Sequence, residues 1–267
     1  MTQTIFARIA IAKSRLDQIR PLSGEALRQL DEWYDVNFTY TSNALEGNTL
    51  TRNETAIVIE KGITVRGKPL KDHNEAVDHY AAVKFMRDLA KDGCAFTEAD
   101  IKQLHQMAVS RTLSSAGRYA AGDRFITTSQ GMRAFPPAHD VPILMQQFIG
   151  NLPDELSPHA AFMAHLDLVT IHPFDDGNGR TARLFMNAIL LRGGYPPVMV
   201  DPADRPDYID AIEAFQTGGT PDLFLSFMGS QLLITIDNHI ARITGDVPDP
   251  KQNADPSKSQ SNDPKPK

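Results

Sequence analysis

A polar corner set between two apolar runs is the feature that most limits how this 267-residue chain can fold. It lies in IHPFDDGNGRTARLFMN, residues Ile171–Asn187. The upstream segment SPHAAFMAHLDLVTIH carries Phe162, Leu166 and Val169 at helical spacing, a stripe that faces a core. A residue before proline is pushed out of the α region, so this helix ends at His172. The downstream segment GRTARLFMNAILLRGG is apolar on several faces and needs neighbours all round it. The fold must therefore hold a bend rich in acids, glycines and arginines between two packed helices.

Most of the remaining chain reads as helix. TRNETAIVIEKG has Thr51 as N-cap and Gly62 as stop, and TEADIKQLHQMAVS opens on a near capping box of Thr97 and Asp100. KDHNEAVDHYAAVKFMRDLAKDG is a long amphipathic helix ending at Gly93. One segment breaks the pattern: GRYAAGDRFITTSQGMRAFPP has a β-prone core and reads as a short hairpin. The fold class expected is thus all-α, a helical bundle with one β-hairpin. Residues 245–267 hold 5 of the 18 prolines and no large apolar residue but Val247, so a disordered tail is expected. The N-terminal segment, interrupted by Lys13 and Arg15, reads as a helix rather than a secretion signal.

Composition narrows the function classes. No apolar run reaches the length of a membrane span. The lone Cys94 excludes an intrachain disulfide and a cysteine metal site, which fits a reducing, cytoplasmic location. A net charge of −6 argues against non-specific nucleic-acid binding.

The corner itself is built for anions. His172 is a base candidate with an ordinary pKa of about 6.5. Asp175 and Asp176 are candidate metal ligands or caps. Gly177-Asn178-Gly179 lets the backbone approach a ligand closely. The next helix begins there, and its first N–H groups form an anion site. Arg180 and Arg183, three apart, share a face and suit more than one phosphate. A neighbouring carboxylate suits Mg²⁺ shared with phosphate oxygens. Each piece alone is ordinary, but together within twelve residues they point to nucleotide chemistry.

HPFDDGNGRTAR, His172 to Arg183, resembles the complete signature of the Fic (filamentation induced by cAMP) family. The likeness extends from about Tyr40 to Met228, and RLFMNAILLRGGYPPV is similar to the branch with the animal endoplasmic-reticulum enzymes. The resemblance implies a protein adenylyltransferase using ATP and Mg²⁺ to place AMP on Ser, Thr or Tyr hydroxyls of target proteins. It makes His172 the base and Asp176 the Mg²⁺ ligand. Asn178, with the amides around Gly177 and Gly179, would stabilise the α-phosphate, and Arg180 and Arg183 would contact the β and γ phosphates. A kinase variant of the family has Lys at the place of Gly179, so glycine favours nucleotidyl transfer. Arg124, Phe125, Ile126 and Thr127 correspond to the flap, onto which a target strand would add. Tyr208 and Gln216 correspond to adenine contacts, although Ile209 replaces a tyrosine of some relatives.

SNALEG, Ser42 to Gly47, resembles the family's inhibitory helix. By that likeness Glu46 pairs with Arg183, takes the γ-phosphate position and holds the enzyme down. The same carboxylate could instead orient water for removal of AMP, giving a de-AMPylase. A nucleotide-sensing module with negligible turnover is the rival from another class. His165 reads as a core histidine, and His73, His79, His105 and His139 show no metal-ligand pattern. The expected division is N-terminal helices to residue 95, with the inhibitory helix at about 36–47, then a core over 96–244. Members of the family often dimerise, so a second copy of the chain joins ATP and the target protein among the partners left open.

Overall fold

The computed structural model describes residues 2–20, 24–128 and 131–245. The helices among them are α1 (Thr2–Gln18), α2 (Gly24–Ala44), α3 (Arg52–Lys61), α4 (Leu70–Asp92) and α5 (Glu98–Val109). After a hairpin come α6 (Val141–Gly150), α7 (Pro158–Ile171), α8 (Asn178–Arg192), α9 (Arg205–Gln216) and α10 (Asp222–Thr244). The hairpin pairs β1 (Phe125–Thr128) with β2 (Gly131–Ala134), Phe125 facing Ala134 and Thr127 facing Met132. The all-α class with a single hairpin is as the sequence led one to expect. Of the expected tail, all but Gly245 lies outside the described residues.

Local signals set several helix ends. Thr51 accepts from the Glu54 amide while the Glu54 carboxylate receives the Thr51 N–H, a closed capping box at the start of α3. Thr97 and Asp100 do the same for α5. α6 was not anticipated. Its Val141, Met145 and Phe148 are buried at helical spacing, with a proline in its first turn.

α8 is the axis of the body. Leu184, Phe185, Met186, Ile189 and Leu190 are at most 1% exposed. Each such side chain contributes about 1.5–3 kcal/mol by leaving water. α7, α4 and α5 pack around this helix, while α1 lies along α10. One continuous apolar cluster runs from Ile5 on α1 to Ile236 on α10. The SNALEG segment starts on α2, whose contact with α4 has a polar edge. Asp31 and Asp35 bind Arg87, Lys84 binds Asp35, and Asn43 donates to the Glu75 carbonyl. Among the described residues no helix is long and apolar enough to cross a membrane.

Several histidines are buried in this body. Burial lowers the pKa of His105, His172 and His239 to about 4 and that of His165 to about 3, and pushes His79 well below its usual range. Unfolding returns each to about 6.5. Between these values the unfolded chain binds more protons, so stability falls as pH drops below 6.5. A histidine held near 4 contributes up to about 2 kcal/mol of this loss at pH 5. The urea midpoint should therefore be clearly lower at pH 5.0 than at pH 7.5. An unchanged midpoint would mean the imidazoles are not neutral and enclosed.

Candidate active site

The corner is shaped by one unusual residue. His172 closes α7 with φ 51° and ψ 58°, the only non-glycine in the left-handed region among the described residues. Its N–H still reaches the Leu168 carbonyl at 3.0 Å. Pro173 keeps the chain from continuing the helix, and such a backbone costs on the order of 1 kcal/mol or more. Three contacts hold it. The ring stacks on Phe135, centroids 3.7 Å apart. Arg124 Nε donates to the His172 carbonyl at 2.9 Å. Nδ1 lies 3.4 Å from the Val169 carbonyl, which can only accept, so the proton sits on Nδ1 and the lone pair on Nε2. Burial is the main reason its pKa falls to about 4, and Arg124 lowers it further. The imidazole is a neutral base at neutral pH.

Behind it, Phe174 is fully buried and stacks on His105 at 3.7 Å, almost parallel. His105 in turn faces the Asp176 carbonyl through Nε2 at 2.9 Å and accepts the Gly117 N–H on Nδ1. Asn178 closes the loop from inside: its Oδ1 accepts the Phe174 N–H and its Nδ2 donates to the Phe174 carbonyl. Both ends of the Asn178 amide are thus engaged by the Phe174 backbone, with one Nδ2 hydrogen left over. Gly177 precedes α8 with φ 76°, and a Cβ there would meet Val109 Cγ1 at 2.8 Å. Both torsion and space require glycine at this position. Asp175 is exposed and accepts from Ser115.

The two arginines lie inside the protein. Arg180 is 2% exposed, 3.3 Å from Glu75 on α4 and 3.4 Å from Asp176. Arg183 is 3% exposed. It donates to Ser42 Oγ and the Ser42 carbonyl at 2.9 Å each, and to the Glu46 carboxylate at 2.6 Å. Burial opposes its charge, but Glu46 and Tyr208 outweigh that, so its pKa is raised. Glu46 stands in the turn just past α2, which ends at Ala44, three residues earlier than the segment read from sequence. A Cβ on Gly179 would come within 2.5 Å of Glu46 Oε1, so the bare glycine makes room for that carboxylate.

Tyr208 and Arg124 both turn their polar groups inward. Tyr208 is 2% exposed, with its hydroxyl 2.7 Å from His165 Nε2 and 3.4 Å from Arg183. It supports the arginine and presents no open face for adenine. Arg124 turns inward from the flap to the carbonyls of Ile171, His172 and Pro136. Gln216 donates to Val169 and Thr170 and accepts from Arg133, lining a cavity of about 440 Å³ under the hairpin. Phe125 is exposed, Ile126 half-buried, and Thr127 lies in register within β1.

A family model described as Fic/DOC family matches residues 95–190, the span that contains this whole corner. The chain carries a Fic/DOC-family domain. It is 33% identical over 264 residues to the protein adenylyltransferase Fic of Nematostella vectensis, covering 88% of this chain and 60% of that one. It is 34% identical over 200 residues to protein adenylyltransferase fic-1 of Caenorhabditis elegans, covering 72% and 38%. The chain thus spans 60% of the length of the first of these curated relatives and 38% of the second. Among solved structures it is similar to a Fic-domain-containing signalling protein from Bacteroides thetaiotaomicron, with a TM-score of 0.83, 27% identity and coverage of 89% and 97%. Fic-1 from C. elegans gives 0.82 and 26%, covering 92% and 74%.

Around this corner, four supporting residues escaped the sequence reading. Phe135, His105, Ser42 and Glu75 each contact a residue of the signature or its loop, and each comes from an element far away in sequence. Only Ser42 had a signal, as the first residue of SNALEG. The role of Asn178 as an internal clamp is testable. Asn178→Ala leaves two buried backbone groups of Phe174 unpaired, at about 1–3 kcal/mol each. Urea unfolding should show a loss of at least about 2 kcal/mol; a loss near zero would contradict the clamp.

Proposed function

We propose that this chain is a protein adenylyltransferase held in check by Glu46. A hydroxyl of a target Ser, Thr or Tyr attacks the α-phosphorus of ATP and gives its proton to His172 Nε2. The new bond joins the hydroxyl oxygen to phosphorus, the bond to the β-phosphate oxygen breaks, and pyrophosphate leaves. The observation that carries the reading is His172: an enclosed imidazole that burial keeps neutral, with Nδ1 placed against the Val169 carbonyl, at the helix end that leads through the glycine loop into α8. Such a base contributes about 10²–10⁴-fold, with the rest supplied by positioning and charge stabilisation. The family relationship to proteins named adenylyltransferases supports the same chemistry.

The α-phosphate would rest on the free N–H groups that open α8 around Asn178 and Gly179. Arg180 and Arg183 would neutralise the outer phosphates. Asp176, with a side chain 62% exposed at the loop mouth, suits a Mg²⁺ that takes one carboxylate and phosphate oxygens. The ion would supply charge neutralisation to the leaving pyrophosphate. Glu46 opposes all of this. Its carboxylate occupies Arg183 and fills the space above Gly179, so a triphosphate seated there must displace it.

Two outcomes test the reading. Glu46→Gly should raise incorporation of label from α-³²P-ATP by at least about tenfold, with a mass gain of one AMP, and His172→Ala in that background should abolish it. Label that persists without the imidazole, or no gain in Glu46→Gly, would sink it. The pH profile is a second check. Because the imidazole is in its base form above about pH 4, single-turnover transfer by Glu46→Gly should stay level from pH 8 to about 5.5. A fall with a midpoint near 6.5 would mean that His172 is not enclosed as described.

A further inference from the structure

A groove runs between α6 and α7 with a volume of about 660 Å³. Leu144, Phe148, Met163, Ile171 and Phe215 give it apolar walls. Asp167 projects into it from α7. This carboxylate is half-buried and makes no hydrogen bond or ion pair among the described residues, and burial alone raises its pKa. Among the described lining residues there is no lysine or arginine, and the other ionisable groups are Glu155 and His159. A desolvated, unpaired carboxylate in an apolar cleft is costly unless a cation completes it. The groove is thus acidic and apolar at once.

Its position matters as much as its lining. Thr170 lines both this groove and the cavity beneath the hairpin, where Phe135 and Gln216 also stand. Phe135 stacks directly on His172. A chain passing the base can therefore run on past Thr170 into the groove. Asp167 is five residues before His172 on the same helix, about 7.5 Å along its axis. An extended chain rises about 3.3 Å per residue.

We propose that this groove is a docking subsite for the protein target, taking an extended segment whose apolar side chain fills the cleft and whose lysine or arginine pairs with Asp167. The distances put that basic residue within about four positions of the modified hydroxyl. Arginine suits the site best, since its weakly hydrated guanidinium tolerates partial burial. The subsite rests on the reading of His172 as the place where a target hydroxyl is presented, but it makes a claim about binding alone.

The test is a bead-bound peptide library with a fixed central tyrosine, threonine or serine, incubated with the full-length protein without ATP. Bound beads are sequenced for wild type, Asp167→Asn and Asp167→Lys, each first checked for an unchanged unfolding midpoint. Wild type should enrich Arg and Lys about fivefold within four positions of the centre, the scale of a partly exposed ion pair. Asp167→Asn should lose that preference, and Asp167→Lys should turn it towards Asp and Glu. The same preferences in all three proteins, or no retained peptide with wild type, overturns the proposal. Failure of nucleotide transfer would leave these preferences standing, so the two readings fail separately.

Discussion

The organisation of the site depends on two guanidinium groups placed inside a hydrophobic body. α8 is enclosed on every side, yet it carries Arg180 and Arg183 at 2% and 3% exposure. Charges so enclosed are tolerated only with close acceptors. Arg183 finds them on α2, through Ser42 and Glu46, and on α9, through Tyr208. Arg180 finds Glu75 on α4 and Asp176 in the loop. The need to compensate one helix therefore dictates where three others and the corner must lie. Removing a partner leaves an uncompensated charge, which is why the end of α2 and the turn bearing Glu46 are joined so firmly to the centre.

The second organising constraint is the shape of the loop. His172 takes a left-handed backbone before a proline, and Phe174 is driven into the core two residues later. Neither would persist alone. Phe135 and Arg124 hold the first, while His105 and Asn178 hold the second. The result is a preorganised bend in which the imidazole and the opening turn of α8 keep a fixed relation before any ligand arrives. Tyr208, backed by His165, gives Arg183 a support that does not depend on Glu46.

How much of this could be read in the chain follows from the range of each signal. Caps are local, so the Thr51–Glu54 and Thr97–Asp100 boxes were legible, as was the stop at His172. α6 was missed because VPILMQQFIG follows a proline pair and shows only three spaced core residues, too few to stand out beside the hairpin. The Glu46–Arg183 pair joins residues 137 apart, and nothing in spacing or propensity announces it; only the likeness of SNALEG to an inhibitory segment did. Side-chain direction was the weakest reading. Asn178, Tyr208 and Arg124 each turn their polar atoms towards backbone or core. Those orientations are fixed by buried donors and acceptors that belong to other elements, and a sequence does not reveal which of them lack partners.

The bare backbone at Gly179 has a consequence for how the protein can change. Even a methyl group there and the docked carboxylate of Glu46 claim the same volume. Positions far apart in the chain are thereby bound into a single trait, and substitutions at the two will not behave additively. A variant that gains a side chain at the loop obliges the acid to shift in the same step, so the history of either residue is tied to that of the other.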